Sequence, residues 1–240
     1  MTNPTEGENT NPIGIIEYGG NKHAPVIYIL QAQEVFLEKF EERFILSVFA
    51  RNLARSYVSR LTNVPESEYS HPLDIDIAFT GFKNVASAVM KQLSWVFFAA
   101  NGNIEGKRIL DLGCGSIGGT EDSLAEQYGS LFQPWLCRTL VELGAYPIGV
   151  DIGSLENERF ETYRTNLLVP NALAKIPDNS IDVVHSRALF TSPELDEQFH
   201  KFPPPWLSMG ERENYFMQLL RPQVERVLRP DGVFVYSRDL

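Results

Sequence analysis

The stretch Arg108-Ile-Leu-Asp-Leu-Gly-Cys-Gly-Ser-Ile-Gly-Gly119 limits the folds open to this chain more than any other. Arg108 to Leu112 is a short apolar run closed by glycine, the pattern of a buried strand that ends in a tight turn. Glycines at 113 and 115 let the backbone take conformations closed to other residues and let a ligand approach it closely. Beyond the loop, strand and helix patterns alternate. Glu121 to Leu143 reads as a helix, and further strands are predicted at Pro147 to Asp151, Glu161 to Leu167, Ile181 to Ser186 and Gly232 to Ser237. Such alternation predicts an α/β fold, a three-layer sandwich with a mainly parallel sheet and helices on both faces. Pro222 is expected to divide the helical region before the last strand. Inside one helix it would cost about 3 kcal/mol, whereas it suits the first turn of a second, Pro222 to Leu228. Ser208-Met-Gly-Glu211 has the form of a capping box for the preceding piece.

Ahead of this core, taken as 106–240, residues 1–12 are expected to be a disordered tail and residues 13–105 a mainly helical extension. Phe36, Phe40 and Phe44, then Phe49, Leu53, Tyr57 and Leu61, recur at helical spacing, while Val26 to Leu30 has strand character. A second helix is predicted from about Gly81 to Ala100, with Phe82, Val85, Val89, Leu93, Val96 and Phe97 on one face. Its apolar stripe is read first as packing surface, with a lid over an active site as the sharper alternative.

Composition narrows the partners. A net charge of −10 argues against nucleic acid, whose phosphates ask for clustered Lys and Arg. Arg51, Arg55 and Arg60 are read as a solvated helix face. The longest apolar stretches, Pro25 to Leu30 and Trp95 to Ala100, fall far short of the roughly 20 residues of a membrane helix. The N-terminus lacks the basic-then-apolar order of a secretory signal. With only Cys114 and Cys137 in the chain, and Cys114 inside the glycine loop, a reducing, cytoplasmic setting is expected.

Gly113-Cys-Gly115-Ser-Ile-Gly118 satisfies G-x-G-x-x-G, so a nicotinamide-dependent oxidoreductase has to be weighed. Neighbouring residues point elsewhere. Asp111 lies two positions before the first glycine, where a carboxylate suits a cationic amino-acid moiety better than a pyrophosphate. Asp151, at the end of the second core strand, can accept from ribose hydroxyls, but it follows Gly118 by 33 positions. The dinucleotide pattern expects its acid about 20 residues on. Ile176-Pro-Asp-Asn-Ser-Ile-Asp-Val-Val184 and Val227-Leu-Arg-Pro-Asp-Gly-Val-Phe-Val235 complete the series.

In order, Ile109 to Gly119, Gly149 to Gly153, Ile176 to Ser186 and Glu225 to Val235 resemble the motifs of class I S-adenosylmethionine-dependent methyltransferases, over about Lys107 to Leu240. The resemblance implies a Rossmann-like core that binds S-adenosyl-L-methionine. Asp111, Gly113 and Gly115 would hold the methionine part and Asp151 the ribose, with Cys114, Ser116 and Ile152 also in the cofactor site. Asn166-Leu167 or Asn171-Ala172 would meet adenine. Asn166 is preferred, since Tyr163 to Leu167 has strand character and Pro170 interrupts the later choice, although either asparagine could simply cap a turn. Ser186 would lie near the cofactor.

Two departures stand out: Ile117 occupies a position where the family often has glycine, and the family's final antiparallel strand pair is absent after Gly232 to Ser237. The edge Val233-Phe-Val-Tyr236 then needs a cover, expected from Val26 to Leu30 or from another chain, as in a homodimer. The reaction implied is methyl transfer to an acceptor, a small molecule before a protein, with nucleic acid and membrane excluded. A catalytic residue is not readable. His185 is a candidate base, because imidazole titrates near neutrality, but a structural histidine is the plainer reading. His200 with Glu194, Asp196 and Glu197 matches no metal-ligand spacing, and no metal is expected. Thr191 to Leu207, with Phe199, Phe202 and Trp206, is expected to help wall a substrate pocket. The alternative of a different class is a non-catalytic S-adenosylmethionine-binding scaffold.

Overall fold

The computed structural model describes residues 14–18, 88–116, 133–187, 189, 198 and 208–237. Six strands form one sheet: β1 (Gly14–Tyr18), β2 (Arg108–Leu112), β3 (Tyr146–Asp151), β4 (Glu161–Arg164), β5 (Ile181–Arg187) and β6 (Leu228–Ser237). Their spatial order is β1-β6-β5-β2-β3-β4, and every pairing is parallel. Three helices are described: α1 at 88–99, α2 (Trp135–Glu142) and α3 (Met209–Val227).

The layers follow from the alternation of side chains along buried parallel strands, which are apolar on both faces. Ile109, Val183 and Val235 point to one face, where they pack with Val89, Leu93, Val96 and Phe97 of α1 and Trp135, Leu136 and Leu140 of α2. Their neighbours Leu110, Val184 and Phe234 point to the other, against Phe216, Leu220 and Val224 of α3. The result is an α/β fold with helices on both faces of a parallel sheet, an arrangement compatible with the Rossmann-like expectation. Trp95, Val96 and Phe97 are fully buried, so α1 is a layer of the core rather than a lid. Each such large side chain contributes about 1.5 to 3 kcal/mol on leaving water.

Strand positions agree closely with the sequence reading at β2, β3 and β5. The expected strand Glu161 to Leu167 stops at Arg164, because Asn166 Oδ1 accepts from Leu168 N at 2.9 Å and turns the chain there. The expected helix Glu121 to Leu143 is not continuous: Gln133 and Pro134 are not helical, since a proline disfavours the helical conformation in the residue before it, and α2 begins at Trp135 with Pro134 as its N-cap. Pro222 does not divide the helical region, since α3 runs through it. A proline removes the amide hydrogen and disturbs the carbonyls one turn back. Beside it Gln223 Nε2 donates to Leu219 O at 3.0 Å, and Gln223 Oε1 accepts from Leu173 N at 3.0 Å. At the start of α3 the capping box forms as expected, with Ser208 accepting from Glu211 N and Glu211 accepting from Ser208 N.

The outer edge of β6 is covered from within the chain, but not by Val26 to Leu30, which lies outside the described residues. β1 pairs with it instead, placing Gly14 to Tyr18 opposite Val233 to Ser237. The sequence carries the reason: Gly14-Ile-Ile-Glu-Tyr18 is β-branched and aromatic, and it is bounded by Pro12 and Gly19.

Candidate functional site

In sequence order the sheet grows from β2 to β3 to β4 on one side, then returns to place β5 and β6 on the other. The reversal between β2 and β5 is a topological switch point, and ligands of open parallel sheets collect beyond the carboxyl ends of strands at such a point. Gly113 follows β2 there, and Ser186 and Arg187 end β5. Because all strands are parallel, Asp151 at the end of β3 and Asn166 just beyond β4 reach the same side of the sheet.

The loop after β2 is held by backbone bonds and by Asp151. Gly113 N and Cys114 N both donate to Val150 O, at 2.8 and 3.2 Å. Asp151 Oδ2 accepts from Gly115 N at 3.0 Å and Oδ1 from Gly153 N at 2.8 Å. Gly113 and Gly115 have φ of 71° and 89°, a region that side chains disfavour. The half-buried Asp151 carboxylate is thus fixed by two backbone amides, one on each oxygen. Ser116 packs against Gly153, where an added Cβ would lie 1.9 Å from its Oγ. Ile152 is half-buried and accepts at its carbonyl from Arg164 Nε at 3.0 Å.

Asp111 is placed differently from a surface anchor. It is 3% exposed, and its Oδ1 lies 2.7 Å from Nδ1 of His185, itself 1% exposed. The two residues stand opposite each other in the β2–β5 register, so the bond crosses the switch point. Cys137 of α2 reaches the second oxygen, Sγ to Oδ2 at 3.7 Å. Cys137 also packs with Cys114, Leu155 and the half-buried Phe160 beneath the loop. Both thiols are free. Burial, helped by the Asp111 charge, pushes the Cys114 thiol up to about 11 and Cys137 well above its ordinary value.

Ser186 is 1% exposed, and among the described residues its Oγ has no hydrogen-bond partner. His185 sits in a closed setting as well: Nε2 is enclosed without a partner among the described residues, and the Trp95 ring centroid is 6.4 Å from that of the imidazole. Asn166, besides its turn, directs Nδ2 to Gln198 Oε1 at 3.4 Å. Leu167 is buried in the core cluster shared with α3. The alternative, Asn171, has a positive φ of 63° in a turn, and Ala172 packs half-buried on the same cluster.

The sequence reading missed three contributors. Cys137 meets Asp111 from a helix, and Gly153 admits Ser116. Arg138 forms the third by clamping Glu158 through Nε at 3.0 Å and Nη2 at 2.5 Å. That clamp fastens the segment after Asp151 to α2. Only Gly153 carried a local signal, its place just after the strand-ending acid. The expected pocket wall Phe199, Phe202 and Trp206, and the acidic group around His200, lie outside the described residues. Among the described residues no three His, Cys, Asp or Glu converge as metal ligands, and no helix is long and apolar enough to cross a membrane.

No protein-family model matches the chain, and no curated protein matches it either.

Proposed function

We propose that this chain is a cytoplasmic S-adenosyl-L-methionine-dependent methyltransferase with a Rossmann-like core, acting on a small-molecule acceptor. One observation carries the reading: a glycine loop with two positive-φ residues lies at the switch point between β2 and β5, tied through its own amide to the strand-ending acid Asp151. A site for an adenosyl ligand needs such a close backbone approach and a carboxylate for ribose hydroxyls. The residues present fit that need. Gly113 and Gly115 let the loop turn tightly, and Asp151 is held in one orientation by the amides of Gly115 and Gly153.

In this reading the cofactor supplies an electrophilic methyl group, and the protein's task is alignment and exclusion of water. Asp151 would hold the ribose, Gly113 to Ser116 would cradle the amino-acid part, and Asp111 would place negative charge under it. Asn166, already committed to its own turn through Oδ1, would meet adenine with what hydrogen-bonding capacity remains. Two free thiols accord with a reducing compartment.

The test is calorimetric titration of the full chain with S-adenosylmethionine, S-adenosylhomocysteine and NAD. Binding of the two sulfur nucleosides is expected, and binding of NAD alone would overturn the proposal.

A further inference from the structure

We infer that His185 is a positioning residue for the cofactor's amino-acid moiety, acting through Asp111 and not as a base. The inference rests on the methyltransferase reading above. A buried carboxylate needs hydrogen-bond donors, and among the described residues two side chains reach the two oxygens of Asp111. One is Nδ1 of His185 at 2.7 Å on Oδ1, and the other is the Cys137 thiol at 3.7 Å on Oδ2. A thiol is a weak donor, so the imidazole sets the carboxylate's orientation.

A general base must come within about 3 Å of the proton it removes. Nε2, the nitrogen His185 would offer a substrate, is enclosed and meets no partner among the described residues. The Trp95 ring of α1 packs beside the imidazole, with 6.4 Å between ring centroids, and the Cys137 thiol stands on the second oxygen of Asp111. With Nδ1 facing Asp111 Oδ1, the imidazole fixes the carboxylate's orientation on β2, directly before the glycine loop. An ammonium group is the chemistry that a carboxylate held there favours.

Two probes separate positioning from general support of the fold. S-adenosylhomocysteine carries the amino-acid moiety, whereas 5′-methylthioadenosine keeps the nucleoside and thioether without it. Calorimetry on the full chain compares wild type, His185→Leu and His185→Asn, whose amide can stand where Nδ1 stood. His185→Leu is expected to weaken S-adenosylhomocysteine at least about tenfold and to leave methylthioadenosine within about twofold, while His185→Asn restores the former to within about threefold. Equal losses for both probes, or unchanged homocysteine-ligand binding in His185→Leu, would overturn the role of His185 alone. A wild-type chain that binds neither probe overturns the methyltransferase reading as well. Should His185→Leu fail to fold, His185→Gln, whose amide stands nearer Nε2 than Nδ1, takes its place: loss of S-adenosylhomocysteine at least about threefold beyond that in His185→Asn, with methylthioadenosine unchanged, supports the proposal, and equal binding in the two variants sinks it.

Discussion

At the scale of single residues, the loop and its acid are one unit, because Asp151 accepts from amides on both sides, Gly115 and Gly153. Asp151→Ala removes both acceptors and, under the proposed function, the ribose contact. We expect S-adenosylhomocysteine affinity to fall at least tenfold, about 1.4 kcal/mol or more, together with a stability loss of about 1 to 3 kcal/mol. Titration calorimetry and urea unfolding measure the two separately, and undiminished affinity in a folded variant would remove Asp151 from the site. The buried thiols give a pH dependence of definite sign. Burial lifts Cys114 from 9.0 to about 11, so the folded state holds this proton more tightly than the unfolded chain does. Its contribution to stability is complete below pH 9 and is lost as pH rises toward 11. Urea midpoints across this range should fall less steeply in Cys114→Ala than in wild type, and parallel profiles would show that the thiol titrates alike in both states.

At the scale of elements, α3 is continuous through Pro222, which has no amide hydrogen to give the carbonyl of Gln218. Pro222→Ala regains a backbone hydrogen bond while making the unfolded chain more flexible. The first effect exceeds the second, so a net gain of about 1 to 2 kcal/mol is expected from thermal or urea unfolding. A loss would mean that the proline ring is itself packed to advantage. The same helix shows where reading the sequence succeeds and where it stops. The Ser208–Glu211 box is local and was legible, as were β2, β3 and β5, whose apolar runs end at glycine, Asp151 or Arg187. Continuity through Pro222 goes with packing on the sheet on both sides of it, by Phe216 and Leu220 before and Val224 and Val227 after, which local pattern does not reveal. The pairing of β1 with β6 joins segments about 220 residues apart, and no pattern within Gly14 to Tyr18 specifies its partner. The Asp111–His185 contact was hidden for the same reason, its partners standing 74 positions apart. Two motifs of the resemblance also proved to be fastened to each other: Arg226 donates to Ile176 O at 2.9 Å and pairs with Asp178. Their observed bonds join the start of β5 to the end of α3, a contribution to the fold that spacing alone could not separate from one to a ligand.

Across the whole molecule, the two ends of the sheet do different work. At the amino ends of the strands, Asp182 accepts from Arg108 N at 2.8 Å and from Arg229 Nη1 at 2.7 Å, with Lys107 at 3.5 Å, joining β2, β5 and β6. At the carboxyl ends lie the glycine loop, Asp151 and Ser186. Substitution at the first end should therefore change stability without changing the site. Asp182→Ala leaves a backbone amide and two cations without their shared acceptor, and a loss of about 2 kcal/mol is expected. Under the proposed function, saturating ligand stabilises the folded chain by mass action. At a hundredfold excess over Kd this is about 2.7 kcal/mol, or a rise in Tm of roughly 5 to 10 °C for a chain of this size. Asp182→Ala should start from a lower Tm and rise by the same amount with S-adenosylhomocysteine, whereas Asp151→Ala at the same ligand concentration should rise much less. Scanning calorimetry of the three proteins with and without ligand makes the comparison. If the ligand-induced rise were equally reduced in both variants, the two ends of the sheet would be energetically coupled and the separation of scaffold from site would be refuted.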